Sequence, residues 1–226
     1  MKFVDAFVKS PFAGVAPWVL MSLIAGPGRF EEATSAAFGL TLVTMWAGWR
    51  RGVRVHLLEA FTAVFFGVLA LIGLLAAPAV IDWLQLWAGE LSNLALAVFA
   101  LFTLAIGRPF TLAYAKDSTP EEHWETPLFR RINYVISAVW ALALTVSAVS
   151  GAIGDAVLRD GDNFWTAWIV PLAAIMFAVS FTDFYPDRAT ADPAPSWIAA
   201  IDWLPPFVMV TGIAGLVSDS VPTVVG

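Results

Sequence analysis

Cysteine is absent from the 226 residues. That removes disulfides, thiolate metal sites, thiol nucleophiles and cysteine lipidation. Histidine is nearly absent. His56 and His123 are the only two and lie in separate polar segments, so a two-histidine haem or histidine-rich metal centre within a membrane is excluded. Charge is scarce as well, at 13% of residues against about a quarter in a typical soluble domain. The formal net charge of −6 supplies no basic stripe to displace counterions from a phosphate backbone, which argues against a nucleic-acid partner. A Gly-rich phosphate loop, Gly-x-Ser-x-Gly and His-Glu-x-x-His are all missing. The sequence therefore assigns no catalytic residues, no metal site and no cofactor.

What is present is apolar. Hydrophobic residues make up 59% of the chain and the mean hydropathy is +0.78. Such a chain cannot cover itself with polar groups, so it must set its surface against lipid. Charges and Pro/Gly punctuation delimit six runs: Phe12–Gly26, Ala33–Trp49, Leu57–Ala77, Leu91–Gly107, Ile132–Ile153 and Asn163–Thr182. The expected fold is all-α, one polytopic transmembrane helical bundle of about six spans filling residues 1–226. Met1–Pro11, with Lys2, Lys9 and apolar residues at helical spacing, reads as an interfacial segment and not as a cleaved signal. Pro78–Glu90 reads as an amphipathic interfacial helix. In the tail at 184–226, Phe207–Val217 is only about eleven residues long, which suits a re-entrant or a seventh segment.

The basic residues orient this map. With the amino terminus inside, Lys2, Lys9, Arg50, Arg51, Arg54, Arg108, Lys116, Arg130, Arg131 and Arg188 are cytoplasmic, and only Arg29 and Arg159 are outside. Ten against two accounts for all 12 Lys and Arg residues. Tryptophan agrees: Trp46, Trp49, Trp83, Trp87, Trp165 and Trp168 fall at run ends, where an indole has one apolar edge and one wet N–H. Trp18 and Trp140 lie deeper and are expected to pack between helices.

The loop at 108–132 is the longest polar segment. Thr119-Pro120 with Glu122, and then Thr126-Pro127, have the form of helix starts. They predict a short helix, a break, and a helix entering the membrane. Glu121, Glu122, His123 and Glu125 are within reach of a metal or acid/base site, but acids at a helix start complement its dipole, and that structural reading outweighs the other about four to one. Glu59, one turn inside the third run, is read at about three to one as snorkelling or pairing with a nearby arginine, against a proton relay. Asn133 and Trp140, seven residues apart, share a helix face suited to an interhelical hydrogen bond. Asp183 reads as the end of the sixth run.

Several stretches resemble the bacterial intracellular septation protein A family. These are Ala33-Thr34 opening the second run, with Trp46, Trp49, Arg50, Arg51 and Arg54 closing it; Gly107-Arg108-Pro109; and Trp124, Arg130, Arg131 and Asn133 followed by Trp140-Ala141. The likeness covers roughly residues 12 to 180. Here Glu-Thr-Pro-Leu-Phe separates Trp124 from the arginines, and the tail after Tyr185 is an addition. The resemblance implies a bacterial inner-membrane protein of the cell envelope, a scaffold or accessory subunit that binds envelope proteins or lipids. The candidate binding residues are Arg50, Arg51, Arg54, Glu59, Arg108, Trp124, Arg130, Arg131, Asn133 and Trp140. Two alternatives stand beside it. A small transporter or channel would need a polar path and often an inverted repeat, and the two halves differ in loop pattern and charge. A lipid-modifying enzyme of the cytoplasmic face would need His56 and carboxylates converging within hydrogen-bond reach.

Overall fold

The computed structural model describes residues 11–26, 28–159 and 163–217, of which 84% are helical and none is in a strand. The eight helices are α1 (Pro11–Ile24), α2 (Phe30–Trp49), α3 (Leu57–Leu75), α4 (Pro78–Ala105), α5 (Thr111–Ser118), α6 (Pro127–Ile153), α7 (Val170–Thr190) and α8 (Leu204–Val217). Five helical stretches are long and apolar enough to cross a membrane: 57–75, 78–105, 127–158, 164–190 and 197–216. The chain is an all-α, multi-pass membrane protein. α1 is apolar but only 14 residues long. α2 has 20 residues, but Glu31 and Glu32 in its first turn and four threonines or serines dilute its apolar character.

Two compact units divide the chain. One contains residues 1–92 and 106–126, the other residues 93–105 and 127–226. In the first, α2 packs between α1 and α3 along small residues. A Cβ at Gly67 would lie 3.1 Å from the Phe38 ring, and one at Gly73 3.3 Å from Glu31 Cγ. Trp18 of α1 stacks on Phe61 and Phe65 of α3 and meets the tilted ring of Phe66, with ring centroids 4.8–6.1 Å apart. Its indole N–H donates to Thr62 Oγ1 at 2.9 Å. The indole keeps its donor satisfied where no water can reach it.

In the second unit α6 and α7 pair in the same way: Trp140 Nε1 donates to Thr182 Oγ1 at 2.9 Å. Trp18 and Trp140 thus both act as interhelical contacts, as their depth in the sequence suggests. α7 is entered through a wide helical turn at Phe164–Ile169, where Val170 N–H bonds Trp165 O five residues back. The next carbonyl, Thr166 O, would need the N–H of residue 171, and Pro171 has none. Ser150 Oγ of α6 donates to that carbonyl at 2.9 Å instead.

Three expectations are corrected. Pro78–Glu90 is not a separate interfacial helix but the first half of α4. Pro78 starts the helix at a position where its missing N–H costs nothing, and no breaker follows. Twenty-eight residues span about 42 Å, beyond the ~30 Å hydrocarbon core, so the Asp82–Glu90 end has length to spare. The tail is longer than Phe207–Val217: a single turn at Trp197–Ile201 precedes α8, and 197–216 is a 20-residue apolar stretch. Asp183 does not end its helix, since α7 continues through Pro186 to Thr190. The reading of Met1–Pro11, of Pro27 in the first turn and of Asp160 and Asp162 falls outside the described residues or, for Pro11, at the start of α1.

Candidate functional site

The site forms where α3 begins. Val53, Arg54 and Val55 are non-helical, and His56 caps α3 with an extended backbone (φ −87°, ψ 163°). Glu59, three residues on, folds back so that its Oε2 accepts the His56 backbone N–H at 3.1 Å. This satisfies a donor otherwise orphaned at a helix start. The same carboxylate presents Oε1 to His56 Nδ1 at 3.3 Å. Both residues are buried.

The other side is built by α5, which follows Gly107 (φ +71°), a left-handed turn position that favours glycine. Thr111 and Tyr114, one turn apart, are the buried face of α5. Asp117, a further three residues along, places Oδ2 2.8 Å from His56 Nε2, a short, charge-assisted contact. The Tyr114 ring lies over the imidazole, with centroids 4.3 Å apart at 31°. Its hydroxyl is buried without a hydrogen-bond partner and abuts Gly14 of α1, where an added Cβ would meet it at 2.9 Å and Leu58 Cδ2 at 3.1 Å.

Charge follows from this geometry. Both ring nitrogens face carboxylate oxygens, and both can donate only when the imidazole carries two protons. Burial by itself lowers the His56 pKa. The hydrogen bond and charge of Glu59, then the charge and hydrogen bond of Asp117, outweigh that and raise it above the usual 6.5. The Tyr114 phenol is also pushed up, by burial first and then by the two carboxylates, and stays neutral. Among the described residues no three His, Asp or Glu groups are arranged to hold a metal. Glu59 and Asp117 lie against different edges of the ring, so they share no centre.

Of the candidate binding residues read from the sequence, Glu59 is the one that belongs to this cluster. It turns to His56 and not to an arginine, because its position three residues after the helix cap aims it back at the capping residue. Arg50 lies over the Trp46 ring at 5.0 Å, Arg51 Nη1 donates to Ala47 O, and Arg54 and Arg108 are exposed. Trp124 donates its indole N–H to Thr119 O at 2.8 Å, with Lys116 Nζ 5.0 Å from its ring centroid. In the second unit Arg130 and Arg131 are exposed, and Asn133 is buried with Nδ2 donating to Phe129 O of its own helix. Asn133 and Trp140 therefore serve α6 and its pairing with α7. Glu121, Glu122 and Glu125 are exposed, and the His123 ring lies 3.5 Å from Glu122 at the surface. Glu121–His123 form a single turn without a side-chain cap, and Thr119 ends α5 where the sequence pattern suggested a start.

Asp117 and Tyr114 were not legible as site residues. Their only sequence signal is an i, i+3 pair in a polar loop, and their partner lies 61 and 58 positions away. No protein-family model, curated protein or solved structure matches this chain.

Proposed function

We propose that the chain is a non-catalytic bacterial inner-membrane protein, with its amino terminus in the cytoplasm, that works as a scaffold or accessory subunit binding membrane proteins and lipids. The observation that carries this reading is the exposure of its spans. Only 11% of the apolar window in 164–190 and 17% of that in 197–216 is buried within the chain, against 44% in 127–158. Helices so little covered by their own chain have whole faces left for lipid or partner helices. The ten-to-two charge split supports the orientation, and Arg50, Arg51, Arg54, Arg108, Arg130 and Arg131 would then meet anionic headgroups. The likeness to the septation protein A family supports an envelope role.

A second reading, an acid/base enzyme of the cytoplasmic face, draws on the convergence of His56 with Glu59 and Asp117. It ranks lower, because both ring nitrogens are already engaged and a general base needs one free for substrate. Purification of the native protein in mild detergent discriminates the two. Partner subunits at reproducible stoichiometry are expected. A protein that comes alone and turns over a headgroup, with the turnover lost in His56→Gln, would contradict the scaffold reading.

A further inference from the structure

We propose that His56 is a proton-operated latch: the doubly protonated imidazole ties α5 to the start of α3, and loss of its proton frees α5. This inference goes beyond the scaffold reading and holds for the chain alone, with or without a partner.

The latch has one moving contact and one fixed contact. Glu59 belongs to the same helix start as His56 and is also held by the backbone N–H, so it stays with α3. Asp117 belongs to α5, and its 2.8 Å bond to Nε2 is a polar tie between the two elements. Take one proton away, and one ring nitrogen turns a lone pair toward a carboxylate oxygen. The two carboxylates then face each other across a neutral ring, in surroundings where burial makes the repulsion costly. Asp117, about a third exposed on its side chain, has water to turn to. Glu59 has none.

Charges on neighbouring elements do not replace the lost proton. α1, which packs its Gly14 against Tyr114, contains no titratable residue. α2 brings Glu31 to the far end of α3, at Gly73. The arginines before His56 are engaged at Trp46 and Ala47 or exposed. Tyr114 stays neutral, and its hydroxyl forms no bond that would hold α5 in place. Ring stacking of Tyr114 on the imidazole stays but does not depend on the proton.

The segment that would move includes a binding candidate. Trp124 is bonded to Thr119 O just past the end of α5 and lies against Lys116 within it, so the turn at 119–124 follows α5.

The sign is fixed by the groups involved. A histidine whose pKa is higher in the latched form than in the released form holds the latch fully below the released value. The latch is lost as pH rises through the raised value.

Because the chain has no cysteine, a single spin label at Ser118→Cys, an exposed position at the end of α5, reports the latch without background. The full chain in lipid nanodiscs would be followed by electron paramagnetic resonance from pH 5 to 10. An immobilised line shape at low pH, loosening with a midpoint above 6.5, is expected. His56→Gln should give the loose line shape throughout, and Asp117→Asn should lower the midpoint by about one pH unit or more. A line shape that does not change with pH in the parent protein would overturn the latch, as would the same transition in His56→Gln. Should His56→Gln fail to fold, Asp117→Asn decides alone: an unmoved midpoint overturns the proposal.

Discussion

Tyr114 places a ring against His56 and a hydroxyl against Gly14, and the two ends do opposite things. The ring covers the imidazole. The hydroxyl is buried and unbonded, so it contributes only the cost of its lost hydration. Tyr114→Phe should therefore leave thermal stability in detergent unchanged or raise it slightly, and a clear loss would show that the hydroxyl has a partner. His56→Ala should do the reverse. It strips a buried carboxylate, Glu59, of its cationic partner, and such losses cost about 3–5 kcal/mol. The melting temperature at pH 6 should fall well below that of the parent. As pH rises through the raised His56 value and the ring loses its proton, the gap should shrink. Of this cluster, the sequence singled out Glu59 but aimed it at a nearby arginine, and it named His56 for the acid/base alternative alone; the turn of Glu59 back to the residue that caps α3 is a structural finding. The Asp117/Tyr114 half depends on a contact between positions far apart in the chain, which no periodicity encodes.

Among the elements, the spans were mostly legible because hydrophobic length is a local property, and α3, α6 and α7 occupy the runs read from composition. The errors came where charge was taken for an ending. Asp82, Gln85 and Glu90 made the start of α4 look like a separate interfacial helix, yet Gln85 Oε1 accepts the Gly28 N–H at 2.9 Å and the helix continues unbroken. Asp183 misled in the same way in α7. Helix-to-helix contacts can be tested with single changes. Trp18→Phe keeps the aromatic stack of α1 on α3 but deletes the bond to Thr62, and should cost roughly 0.6–1.7 kcal/mol, the range of hydrogen bonds between membrane helices. Gly14→Ala should cost about 1–3 kcal/mol through overpacking against Tyr114 and Leu58. In the Tyr114→Phe background, where the closest atom is gone, part of that cost should be recovered. A strictly additive double mutant would mean that Gly14 is not there for the tyrosine.

For the whole molecule, the proposed orientation rests on the arginines and lysines and not on packing. Single cysteines at Arg54 and Lys116 should be blocked only by membrane-permeant reagents in intact cells, whereas one at Arg159 should react with impermeant ones. The reverse pattern would invert the topology. The proposed orientation would put the histidine cluster on the cytoplasmic side, where its proton occupancy would respond to the pH of the cell interior.

The central claim is that His56 carries two protons between two carboxylates. Nitrogen-15 NMR of histidine-labelled protein in lipid measures this directly, since His123→Gln leaves one histidine signal. Mostly doubly protonated ring nitrogens at pH 6.5, the free-histidine midpoint, converting to a neutral ring at higher pH, are the predicted result. A ring already mostly neutral at pH 6.5 would contradict that charge state.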